Sequence, residues 1–220
     1  MNLTTELFGL QEKRWPKSGR VILAQSDFES IVVYQAYRPS IGHFAAKHGY
    51  FGGDFSMSRM TWIKPNFLWM MYRSGWGTKE GQEVTLAIRL TRSAFMEILG
   101  QAVHSSFNSD VYSSHEEWKR AVAHSNVRLQ WDPDHGPTGA PLNRRAIQLG
   151  LQGPVVEKYV HEWIVEIQDI SDYVESQRHL VAVGKLDQLE TPLETVFEIA
   201  DSAVAERVGL DHGRPVGRKR

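Results

Sequence analysis

The chain has 220 residues, of which 41% are apolar and 23% charged, with a formal charge of −1. These are the proportions of an ordinary globular domain; they exclude a disordered or fibrous protein and any global field that would draw the chain onto nucleic acid. Cysteine is absent, which excludes a disulfide framework, a thiolate nucleophile and a cysteine-based zinc site.

No apolar run approaches the roughly 18 residues a membrane span needs. Met1 to Trp15 carries acidic and amide residues where a signal peptide has its apolar core, so a cytoplasmic protein without membrane attachment is expected. Residues 1–19 read as an N-terminal extension and 20–185 as the core domain. Residues 186–211 read as a C-terminal helix packed on that core, and 212–220 as a disordered basic tail.

Along the chain, Ser30–Tyr37 (SIVVYQAY) is β-branched and aromatic and predicts a buried strand. Pro39 then opens a helix through Lys47, and Gly49 stops it. Phe51–Met60 is a loop, Pro65–Tyr72 one or two apolar helical turns, and Ser74–Gly81 another loop. A strand is predicted over Glu83–Leu90 and a helix over Ser93–Val103. Ser114, followed three residues later by Glu117, is a capping box and starts a helix to His124.

Val127–Trp131 predicts a strand that ends at Asp132-Pro133, and Arg145–Leu151 a further strand. A short helix over Val155–Val160 and a strand over Trp163–Ile170 follow. Helices over Ser171–Val183 and Pro192–Val208 close the chain. Strands and short helices alternate at irregular intervals, which favours a single α+β domain with a mixed sheet over a doubly wound parallel one.

The usual serine-hydrolase elbow and P-loop are missing, and Gly75, Gly77 and Gly81 do not have dinucleotide-fingerprint spacing. His43 and His48, five apart, fall on different faces of a helix, and no metal is expected.

Three segments are more polar and aromatic than a core requires. Tyr34 to Arg38 delivers an amide, Gln35, and a guanidinium, Arg38, at a strand end beside Tyr37. Arg59-Met60-Thr61-Trp62-Ile63-Lys64 continues to Trp69, Tyr72, Arg73 and Trp76 and alternates cations with rings. His161-Glu162-Trp163 places a carboxylate at the start of an apolar strand. Each has a plain alternative: rings fill cores, lysine and arginine stems lie along them with the charge in water, and Glu162 could be an exposed strand-end residue. Taken together, cations for phosphates, rings for a flat heterocycle and a carboxylate for a ribose hydroxyl or a developing positive charge point to a nucleotide ligand.

VYQAY, RMTWIKPNFLWMMYRSGW, VRLQWDP and EWIVEIQDI resemble the motifs of the bacterial domain of unknown function family 4291, from about Ile31 to Val181. The order of blocks is more distantly similar to the ADP-ribosyltransferase superfamily, in particular its DNA-modifying toxins. That resemblance implies a mostly antiparallel split sheet with flanking short helices. It also implies NAD as substrate, with Gln35 and Glu162 as catalytic residues. Tyr37, Arg38, Arg59, Trp62, Lys64 and Tyr72 would hold the dinucleotide, and a nucleic acid or protein would accept ADP-ribose. Gln35 stands where the superfamily carries histidine or arginine, so it can bond a ribose or carboxamide but brings no charge. A non-catalytic nucleotide or nucleic-acid binding module using the same pocket is the competing expectation, and a purely structural interaction domain a third.

Overall fold

A computed structural model of the chain describes residues 3–211. Its first half contains β1 (Thr5–Leu7), α1 (Phe8–Arg14), β2 (Gly19–Arg20), β3 (Leu23–Ala24), β4 (Ser30–Tyr37), α2 (Pro39–His48), β5 (Thr61–Ile63), α3 (Phe67–Ser74), β6 (Val84–Thr91), α4 (Arg92–Gly100) and β7 (Ala102–His104). The second half contains α5 (His115–His124), β8 (Val127–His135), β9 (Pro141–Leu151), α6 (Pro154–Lys158), a π-helix (Tyr159–Trp163), β10 (Ile164–Asp169), α7 (Ser171–Ala182), β11 (Glu190–Pro192), β12 (Thr195–Val196) and α8 (Ser202–Val208).

Two sheets carry the fold. One is β10–β6–β4, antiparallel throughout. The other is β2–β9–β8–β7 with β5 also on β9; β8–β9 and β5–β9 are antiparallel, and the short edges β2–β9 and β7–β8 are parallel. The expected α+β architecture with mixed, mostly antiparallel sheets is therefore present. β4 reads as an unbroken apolar run because both of its faces are buried. Ile31 and Val33 join one core cluster with Leu86, Ile88 and Leu90, while Val32 and Tyr34 join another with Phe67, Met71 and Ala87.

The sheets meet at one backbone bridge. Tyr34 N–H donates to the Lys64 carbonyl at 2.7 Å, and Lys64 N–H donates back to Tyr34 at 3.2 Å. The chain ends are tied together: β1 pairs with β11, Gln11 donates to the Thr191 carbonyl, and the Trp15 indole N–H donates to the Glu194 carbonyl.

Several local expectations hold, α2 running one residue past the expected Lys47. β4 spans Ser30–Tyr37, and α2 ends on Gly49 in the left-handed region at φ 76°. Ser114 caps α5 by accepting from Glu117 N–H, while the Glu117 carboxylate reaches back to Ser113.

Others are corrected. β8 runs through Pro133 to His135. β7 pairs only Val127–Leu129, so beyond that point this edge of β8 is open and the missing proline N–H costs no ladder bond. The helix expected over Ser93–Val103 stops at Gly100, and Ala102–His104 pair with β8. The helix expected over Pro192–Val208 begins only at Ser202. Before it, Leu193 and Phe197 N–H groups bond to Thr4 and Ile22 carbonyls rather than along their own segment. Trp163 and Glu162 belong to the π-helix, and the strand starts at Ile164. The basic tail 212–220 lies outside the described residues. Among the described residues no helix is long and apolar enough to cross a membrane.

Candidate functional site

At the junction of the two sheets lies a cleft of about 710 Å³, within the size range of small-molecule sites. β4 and the start of α2 supply Gln35, Tyr37 and Arg38. The loop before β5 supplies Asp54 and Arg59, and β5 with its end supplies Thr61, Trp62 and Lys64. α3 supplies Trp69 and Arg73, and the paired strands β8 and β9 supply Gln130, Asp132 and Gln148.

Local sequence explains how α3 is aimed. The Asn66 side chain caps its start by accepting from Trp69 N–H at 2.7 Å, and Gly75 ends it in the left-handed region. The buried Glu194 carboxylate accepts from Phe67 N–H at 2.6 Å and from the Asn66 amide at 3.1 Å. Burial raises the Glu194 carboxyl well above its usual range, and the Phe67 N–H opposes that rise. This anchored first turn sets the positions of Trp69 and Arg73.

Lys64 is buried, 7% exposed, and its ammonium has no hydrogen bond or ion pair among the described residues. Its pKa is lowered from 10.5 to about 8, chiefly by burial and then by the nearby Arg73 charge, with Asp132 acting in the opposite sense. Around Lys64, Arg59 and Arg73 are exposed at the cleft, and Arg38 forms an exposed ion pair with Asp54 at 3.6 Å.

The Gln35 amide is committed to the protein. Its NH₂ lies within donating distance of Tyr37 Oη (2.9 Å), Thr61 Oγ1 (2.6 Å) and the Trp62 carbonyl (3.2 Å), and its oxygen accepts from Tyr159 Oη at 2.7 Å. Tyr37 and Thr61 hydroxyls also bond each other. Burial pushes the Tyr37 phenol up to about 12, against the pull of these bonds. Gln35 thus holds Tyr37 and Thr61 at the floor of the cleft.

Trp62 owes its place to Gly150, its cross-strand partner on β9. A Cβ at Gly150 would fall 2.6 Å from Met60 Sδ and 3.0 Å from the Trp62 ring, so only glycine leaves the indole where it is. On the same sheet face, Gln130 and Gln148 stand opposite each other, and their amides donate to the two oxygens of Asp132, each at 2.7 Å.

Six of the residues expected from sequence thus line one cleft: Gln35, Tyr37, Arg38, Arg59, Trp62 and Lys64. Two lie elsewhere. Tyr72, 45% exposed, stacks on His135 with centroids 3.5 Å apart, outside the cleft lining. Glu162 is exposed on the π-helix: Tyr159, Val160 and Trp163 take the inward face, which turns His161 and Glu162 to solvent near Lys158. Gln130, Asp132 and Gln148 were not singled out in the sequence. The signal for Gln130 and Asp132 was the i, i+2 pair of polar residues in VRLQWDP, hidden by ending the strand at Asp132.

Among the described residues no group of three or more histidine, aspartate or glutamate side chains could hold a metal ion. No curated protein matches the chain. The model of the domain of unknown function DUF4291 matches residues 21–197, a span that contains every cleft residue named above, and the chain belongs to that family.

Proposed function

We propose that the cleft binds a nucleotide through its phosphates. The observation that carries this reading is the largely buried Lys64, whose ammonium has no anionic partner in contact among the described residues, in a cleft that also presents Arg59 and Arg73. A buried charge without a counter-ion is costly, and a phosphate removes that cost by supplying one. Trp62, partly exposed in the lining, adds a ring suited to a flat base. Calorimetry with ADP, NAD, pyrophosphate and adenosine tests it. The phosphorylated compounds should bind at least about 10-fold more tightly than adenosine, and Lys64→Met should weaken them by about 10- to 100-fold. Equal affinity for adenosine and ADP, or an unchanged affinity in Lys64→Met, refutes the reading.

A second reading, NAD-dependent transfer of ADP-ribose to a nucleic acid or protein acceptor, is favoured by the presence of a carboxylate inside the cleft. That carboxylate is Asp132; Asp54 is paired with Arg38, and Glu162 lies outside the cleft. In that reaction the bond between ribose and nicotinamide breaks and nicotinamide leaves. The acceptor's nucleophilic atom bonds to the same ribose carbon and releases its proton to solvent, and an anionic group near the ribose stabilises the developing positive charge. Nicotinamide release should then fall at least about 100-fold in Asp132→Asn and stay near wild type in Glu162→Ala. NAD binding without nicotinamide release from the wild type leaves a binding module.

A further inference from the structure

Asp132 differs from every other acid around the cleft in how it is held. Each of its two oxygens accepts one amide N–H, from Gln130 and from Gln148, both at 2.7 Å. The amides must present nitrogen here, because an ionised carboxylate only accepts. A carboxylate has about four accepting positions, two on each oxygen. The two amides therefore fill one position on each oxygen and, among the described residues, leave one on each without a side-chain donor.

No lysine or arginine forms an ion pair with Asp132 among the described residues, although Lys64 is close enough to be influenced by its charge. Gln130 and Gln148 face each other in register across β8 and β9, so both donors rest on hydrogen-bonded backbone rather than on a loop. The carboxylate is held at both oxygens in the lining of the cleft.

We propose that Asp132 is the sugar-reading residue of the cleft: it accepts both hydroxyls of a ribose cis-diol and so selects ribonucleotides over deoxyribonucleotides. This rests on the nucleotide reading above, to which it adds the opposite end of the ligand. A ribonucleotide carries an anionic end for the Lys64 side and two adjacent hydroxyl donors for a bidentate acceptor, whatever its base. The other adjacent donor pair a nucleotide can offer is the N1–H and N2–H₂ edge of guanine, and the choice of ligands separates the two.

The test titrates the unmodified protein with ADP, 2′-deoxy-ADP, 2′,3′-dideoxy-ADP, GDP and 2′-deoxy-GDP, and repeats the adenine series with Asp132→Asn. Two hydroxyls on a charged acceptor should give ADP about a 10- to 100-fold advantage over dideoxy-ADP, with deoxy-ADP between them. In Asp132→Asn that preference should flatten, with ADP weakened toward the dideoxy value. The ligand series on the wild type needs no variant to fold. Equal binding of ADP and dideoxy-ADP overturns the sugar-reading role and leaves the nucleotide reading standing. A guanine preference that is indifferent to the sugar also overturns it. Failure of every nucleotide to bind defeats the nucleotide reading itself.

Discussion

Lys64→Met exchanges a buried ammonium for an apolar side chain of similar length, and its effect on stability follows from the depressed pKa. In the folded protein Lys64 titrates at about 8, against 10.5 in its ordinary state. Between those values the unfolded chain holds the proton and the folded protein does not, so the unfolded state binds more protons and stability rises with pH. Below about 8 both states are charged, and the folded state bears the full cost of the buried ammonium. The displacement corresponds to about 3 kcal/mol. Without ligand near neutral pH, Lys64→Met should therefore be more stable than wild type by about 2–3 kcal/mol. The gain should shrink through the window from about 8 to 10.5 and vanish above it. Urea unfolding of both proteins across that range measures it, and other titrating groups cancel in the difference. Parallel stability curves, or a variant less stable at neutral pH, would refute the view that Lys64 is an uncompensated buried charge.

Gly150→Ala should displace Met60 and the Trp62 indole, costing about 1–3 kcal/mol in urea unfolding and changing tryptophan emission. Asp134→Asn breaks a pair in which Arg144 and Asp134 approach to 2.6 Å with both side chains almost wholly buried. A loss of about 3–5 kcal/mol is expected from the same measurement. Glu194→Ala strips acceptors from Phe67 N–H and the Asn66 amide and should cost about 2–4 kcal/mol. Since burial raises the Glu194 carboxyl, the folded state keeps its proton longer than the unfolded chain. Stability should fall as pH rises above the usual carboxylate range, and Glu194→Gln should remove that slope.

Much of the cleft was legible because its local rules are strong. A β-branched run bounded by Pro39 fixed β4 and hence Gln35, Tyr37 and Arg38, and the alternation of cations with rings marked Arg59, Trp62 and Lys64. Glu162 was misplaced because no local pattern signals a π-helix, whose five-residue spacing rotates a side chain off the face that a strand would give it. Asp132 was missed because Pro133 ordinarily ends a strand; whether that edge is open depends on where β7 stops, which only tertiary pairing decides. Residues 192–201 were read into the last helix from the apolar spacing, yet Leu193 and Phe197 bond to Thr4 and Ile22, far away in sequence.

The buried knot of Gln11, Trp15 and Glu194 reaches the cleft through one side chain, since Glu194 also fixes the first turn of α3. A fragment trimmed to the family-matched stretch would keep every side chain that lines the cleft and still lose the contacts that hold Glu194. The indole and amide that clamp Glu194 come from before residue 21. Fusion partners belong beyond these clamps rather than in place of them, and losing the segment before Val21 should loosen α3 without removing any residue of the cleft.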